Sequence, residues 1–189
     1  MITIITPCSR GQNLLHVFNS LNFDFIFEWI IVYDTNHVDI KSPLFIRPLF
    51  NTNKISEYFY STPNTKWGTA QRNYGLAMIK NKNSYIYFLD DDNKIHPNFY
   101  KFLETISLEN EKIYTFNQDN HGILSAGNSL YIGGLDTALY LIHYKFCEGK
   151  KWKNDVAHDA LFFLDCFENN EDKHVYINET LCYFNALRK

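Results

Sequence analysis

Basic patches are what this sequence most clearly lacks. Its 18 Lys and Arg stand against 21 Asp and Glu, a formal charge of −3, and no cluster of cations departs from that balance. Nucleic-acid binding therefore has no electrostatic footprint here. An anionic substrate would need local positive charge, a helix N-terminus or a metal ion. Long apolar runs are missing too. The most apolar window, 23–33, is too short to span a bilayer and is broken by Asp24 and Glu28. No basic region followed by a long apolar stretch opens the chain, so no signal peptide is expected. Cysteine is sparse: Cys8, Cys147, Cys166 and Cys182 show neither CxxC pairing nor zinc-ligand spacing, and they read as reduced thiols of a cytoplasmic protein. With no repeat, low-complexity block or linker, the 189 residues are expected to form one compact domain that buries roughly 70% of its unfolded surface.

What is there is an alternation of short apolar runs and helical patterns. Ile2–Thr6 and Glu28–Tyr33 read as buried strands, the first stopped by Pro7 and the second by Asp34. A third strand is expected at Leu44–Arg47, and a short helix around Ile55–Tyr60. Helical spacing runs through Gln12–Leu21 and Gly68–Lys80, the latter with Ala70, Tyr74, Ala77 and Met78 on the side that packs on a sheet. Ser84–Leu89 is aromatic, β-branched and uncharged, a central strand. A helix follows from Pro97 to about Ser107, then a strand at Lys112–Phe116 and a short one at Ser129–Ile132. Leu135–Phe146 and Val156–Phe167 look helical, and Val175–Ile177 and Leu181–Phe184 look like closing strands. The expected class is α/β, a mostly parallel sheet flanked by helices.

Three aspartates, Asp90, Asp91 and Asp92, end the central strand. In an extended segment Asp90 and Asp92 point one way and Asp91 the other. Adjacent carboxylates repel unless a cation or donor groups compensate, and a hard divalent ion, Mg²⁺ or Mn²⁺, suits such ligands. The competing reading is an acidic turn before the next helix. Ligands of open parallel sheets bind beyond the carboxyl ends of the strands. There the turn 6–10, Asp34 and the triplet converge.

These segments, ITPCSR, IIVYDT, GTAQRNYGL, FLDDDN, GGLDTALYL and NDVAHDALFF, resemble in order those of GT-A nucleotide-sugar-dependent glycosyltransferases, particularly the inverting family-2-like members. The resemblance implies a Rossmann-like GT-A domain, its nucleotide-binding half at about 1–93 and its acceptor-side half at about 94–189. It places the nucleotide near Thr6, Pro7, Ser9, Arg10, Asp34 and Arg72. FLDDDN matches the DXD motif, so Asp92 would bind Mn²⁺ or Mg²⁺, and Asp90 would contact the ribose, the metal or its water. Asp91 would support the turn or reach the nucleotide or donor sugar. Asp136 and His158 would lie near donor sugar or acceptor, and Asp159 would be the general base.

Rival readings stay open: Arg72 on a solvated face, Asp34 as a mere turn residue, Asp136 as an N-cap, Asp155 in place of Asp159. A third metal ligand could be His174, Asn185 or none. The function implied is transfer of a sugar from a nucleotide sugar, a UDP-sugar, to a glycan, protein or lipid acceptor. An Mg-dependent nucleotidyltransferase and a non-catalytic nucleotide-sugar-binding module are the alternatives.

Overall fold

The computed structural model describes residues 1–37, 52–106 and 111–188. Strands β1 (Ile2–Cys8), β2 (Ile26–Tyr33), β3 (Ile55–Phe59) and β4 (Tyr85–Phe88) are joined with helices α1 (Leu14–Phe18) and α2 (Thr69–Ala77) between them. The chain continues through β5 (Lys94–Ile95), α3 (Pro97–Thr105), β6 (Ile113–Asn120) and β7 (Ile123–Ser125). It closes with β8 (Tyr140–His143), α4 (Tyr144–Cys147), α5 (His158–Phe167) and β9 (His174–Tyr183). All strands belong to one sheet of order β3-β2-β1-β4-β8-β6-β9-β5, with β7 paired to β6. The pairs β1–β2, β1–β4 and β2–β3 are parallel, whereas β8 lies antiparallel between β4 and β6. No helix among the described residues is long and apolar enough to cross a membrane.

Strand β1 is buried along its whole length. It reads as an unbroken β-branched run because both faces of the sheet are covered, which removes the polar alternation of a one-sided strand. Ile2 and Ile4 pack with Val17 and Trp29 in one layer, and Ile5 with Ile30 and Ile86 in the other. The same alternation sends Tyr85 and Tyr87 of β4 to the first layer and Ile86 and Phe88 to the second. Burying each such side chain contributes about 1.5–3 kcal/mol. Helix α2 lies close on β1 because of Gly75, where a Cβ would come within 2.6 Å of the Ile5 side chain.

Several expected elements differ. The segment expected to be a short helix around residue 55 is strand β3, edge partner of β2. The apolar run 135–146 is not one helix: it gives a 3₁₀ turn at Thr137–Leu139, then β8 and the four-residue α4. A short apolar run fits a buried strand as well as a helix, and the open position between β4 and β6 decides it. Ser129–Ile132 is a turn, and the two closing strands are one continuous β9 with register shifts against β6. On α2 the buried face carries Arg72 and Gly75, while Ala77 is exposed. The strand expected at 44–47 lies outside the described residues.

Candidate active site

The loops at the carboxyl ends of β1, β2 and β4 line one side of a cleft of about 370 Å³. The start of α2, the start of α5 and the segment after β9 line the rest. The expected convergence of the 6–10 turn, Asp34 and the triplet is present. Six carboxylates (Asp34, Asp90, Asp91, Asp92, Asp136 and Asp159) face three guanidiniums, Arg10, Arg72 and Arg188.

The triplet does not continue the strand. It folds into a turn closed by the Asn93 N–H donating to the Asp90 carbonyl at 3.1 Å, which splays the three carboxylates apart. Asp91 is 1% exposed and is consumed by the loop after β1. One oxygen accepts from the backbone N–H groups of Ser9 at 2.7 Å and Arg10 at 2.6 Å. The other accepts from Arg10 Nε at 2.8 Å and Nη2 at 2.5 Å. Of the roles open to Asp91, supporting the turn is the one its contacts fill. Arg10 Nη2 also reaches Asp92 at 3.0 Å. Burial raises the Asp92 carboxyl above its ordinary range, Asp90 adds to this, and Arg10 opposes it.

Asp90 takes a different partner. Arg72 Nη2 donates to it at 2.5 Å and the Thr137 hydroxyl at 3.3 Å. Arg72 is buried, so the solvated-face reading falls. Its guanidinium donates to the Trp67 carbonyl and lies 4.8 Å from the Trp152 ring centre, a cation–π contact. Burial would weaken the charge on Arg72, but Asp90 and Asp159 more than restore it. The Asp90 carboxyl nonetheless sits above its ordinary range, because burial together with Asp159 and Asp91 outweighs Arg72.

The N-cap reading of Asp136 is met. It caps the 3₁₀ turn, accepting from the Ala138 N–H at 3.0 Å, and it lines the cleft. Burial first, then Asp159 and Asp90, push it from 3.8 up to about 7. The folded protein therefore holds more protons at this group than the unfolded chain between those pH values, so stability falls as pH rises through the window. Asp136→Asn is expected to raise the melting temperature at pH 8 relative to wild type while changing it little near pH 4. Parallel pH profiles would refute the assignment.

Asp159 opens α5 beside the cleft and Asp155 does not: the Asp155 carboxylate accepts only from the Ala157 N–H, on the exposed side. The Oδ1 of Asp159 is buried and lies 2.9 Å from His158 Nε2. His158 is buried. Its Nδ1, facing the Asp155 carbonyl at 2.9 Å, must carry a proton, because a carbonyl only accepts. Asp34 accepts from the Ser61 hydroxyl at 2.5 Å, from the Asn36 N–H and from His37. Burial would raise its carboxyl, but these donors hold it below the ordinary value.

Pro7, Ser9 and Arg10 line the cleft, but Thr6 does not. Thr6 is fully buried, and its hydroxyl accepts from the Trp29 indole at 2.9 Å, because alternation along β1 turns it into the core. His174 is also away from the cleft, bonded to the Thr115 hydroxyl at 2.8 Å, which leaves Asn185 as the cleft-side alternative. Cys8 is buried and its thiol is pushed far up, chiefly by burial, as suits an inert structural thiol. Sequence reasoning missed Trp67, Gln71 and Arg188, all cleft-lining. They come from turns and a helix start with no motif of their own.

No protein-family model matches the chain, and no curated protein sequence is similar to it. Solved structures are. TarS of S. aureus superposes with a TM-score of 0.69 at 15% identity over 96% of this chain and 36% of that one. TarS 1–349, in complex with UDP, gives 0.72 at 14% identity over 96% of this chain and 59% of that one. The chain thus spans between about a third and three fifths of the TarS chains it matches. A candidate glucose-1-phosphate thymidylyltransferase from Bacillus anthracis gives 0.55 at 13% identity, over 96% of this chain and 87% of that one. At these identities the likeness concerns the fold: the chain has the GT-A-like fold of nucleotide-sugar glycosyltransferases.

Proposed function

We propose that the protein is a metal-dependent glycosyltransferase that moves a sugar from a UDP-sugar to a hydroxyl acceptor with inversion. The observation that carries this reading is the meeting, in one cleft, of the triplet after β4 with the Asp159 carboxylate of α5, which is paired with His158. Inverting transfer asks for such a base on the face of the sugar opposite the leaving group. Asp159 takes the proton of the acceptor hydroxyl, and His158 fixes the approach to its Oδ1. Arg72 and Arg10 supply donors toward the diphosphate, and Asp34 reaches the base.

The carboxylate excess fits a divalent cation. Among the described residues no three His, Cys, Asp or Glu side chains form a closed metal-binding group. An ion here would rest on Asp92 and Asp90 and complete its shell with water and substrate oxygens, the habit of Mg²⁺. A cation held by these residues would neutralise the charge developing on the diphosphate leaving group. The same fold serves nucleotidyltransferases, which carry a Gly-rich basic loop after the first strand. Here that loop holds one Arg and one Gly.

The test is a thermal-shift screen of UDP-sugars with and without Mn²⁺. At about 100 times Kd, one of them is expected to stabilise the protein by about 2.7 kcal/mol, or about 5–10 °C, with the metal present. Asp92→Ala should lose the metal-dependent part. An equal shift without Mn²⁺, or none with any UDP-sugar, would sink the reading.

A further inference from the structure

Each of the two carboxylates on which a metal ion would rest is already paired with an arginine. Asp90 holds Arg72 Nη2 at 2.5 Å, and Asp92 holds Arg10 Nη2 at 3.0 Å. The two arginines differ in how firmly they are kept. The Arg72 side chain is 3% exposed and is fixed further by the Trp67 carbonyl and the Trp152 ring. The Arg10 side chain is 36% exposed, and among the described residues its hydrogen bonds and ion pairs go only to Asp91 and Asp92.

That grip is lopsided. Asp91 accepts from both Nε and Nη2 of Arg10, at 2.8 and 2.5 Å, and is itself pinned by two backbone N–H groups. Asp91 is the anchor, while the contact with Asp92 is single, longer and made by the far end of the side chain. Turning that end away gives up Asp92 and leaves the Nε bond to Asp91 in place. A dication taken up by Asp92 would share the carboxylate with this guanidinium, and like charges at such range repel. Within the triplet, moreover, three carboxylates face two guanidiniums, so one negative charge remains to attract an ion. A diphosphate removes both obstacles. It brings negative charge, and it offers Nη2 other oxygens to donate to.

Resting on the metal-dependent glycosyl-transfer reading, we propose that Arg10 is a built-in counter-ion that competes with the divalent metal for Asp92 and yields it when a diphosphate arrives to receive the guanidinium. Arg10 is thus a positioning residue that acts through Asp92, and it makes metal and nucleotide binding depend on each other.

Mn²⁺ itself is the probe, its bound fraction read by electron paramagnetic resonance with and without UDP. In the wild type, UDP is expected to tighten Mn²⁺ binding. Arg10→Gln, checked as folded by its melting curve, is expected to bind Mn²⁺ alone about tenfold more tightly than the wild type and to lose most of the gain from UDP. Damage to the loop would loosen the ion instead. If that variant does not fold, ¹⁵N-arginine NMR of the wild type takes its place. Mg²⁺ and UDP together are expected to shift the Arg10 Nε signal, and Mg²⁺ alone at the same concentration to leave it where it was. A folded Arg10→Gln that holds Mn²⁺ no more tightly, or an Arg10 signal that Mg²⁺ and UDP leave unmoved, overturns this inference alone. A protein that binds no Mn²⁺ even with UDP overturns the metal-dependent reading with it.

Discussion

Asp159→Asn is expected to slow sugar transfer by about 10²–10⁴-fold while leaving the thermal shift produced by a UDP-sugar and Mn²⁺ unchanged. The amide keeps the shape of the side chain but cannot accept the proton of an incoming hydroxyl. The one contact the substitution touches is the 2.9 Å pairing of Oδ1 with His158 Nε2, and an unchanged donor-induced thermal shift would show that a loss of rate is not collapse. Asp155→Asn is the matched comparison. It is exposed, its carboxylate bonded among the described residues only to the Ala157 N–H, and transfer should be unaffected. Wild-type turnover in Asp159→Asn with donor binding intact would remove Asp159 from the mechanism.

The second large effect concerns stability. Asp91→Ala is expected to cost about 3–5 kcal/mol, because it strips a buried partner from Arg10 and from two backbone N–H groups at once. For a chain of this size that corresponds to a fall in melting temperature of roughly 6–20 °C. Asp92→Ala should cost much less, since Asp92 shares Arg10 through a single contact. Urea unfolding of the two variants gives the comparison. Equal midpoints would show that the triplet is not divided into one structural and two cleft-facing carboxylates.

That division marks where the sequence stops being readable. Period-2 reasoning over the triplet assumed an extended chain, and charge repulsion together with the Arg10 loop made it a turn instead. What local chemistry dictates was legible: the β-branched run of β1, the aromatic run of β4, Pro97 opening α3, and the meeting of three strand ends at one edge. Partners distant in sequence were not. The resemblance set Arg72 toward the nucleotide, but nothing nearby announces that Asp90, 18 residues on, will pair with it in the core. Thr6 looked like a loop residue until the indole of Trp29, 23 positions away, claimed its hydroxyl. The run 135–146 is apolar enough for either secondary structure, and only the vacancy beside β4 settles it. That Asp159 lies at the cleft was legible by resemblance; that Trp67 does was not.

The imbalance of six carboxylates against three guanidiniums also bears on how a ligand arrives. A free nucleotide diphosphate diffusing toward this mouth meets a repulsive field, so dissolved salt would hasten its entry by shortening the reach of that field, the reverse of ordinary electrostatic steering. A diphosphate already wearing a divalent counter-ion carries less charge through the same gate. For the proposed donor and ion, the electrostatics thus favour entry as a pair over entry of the nucleotide first.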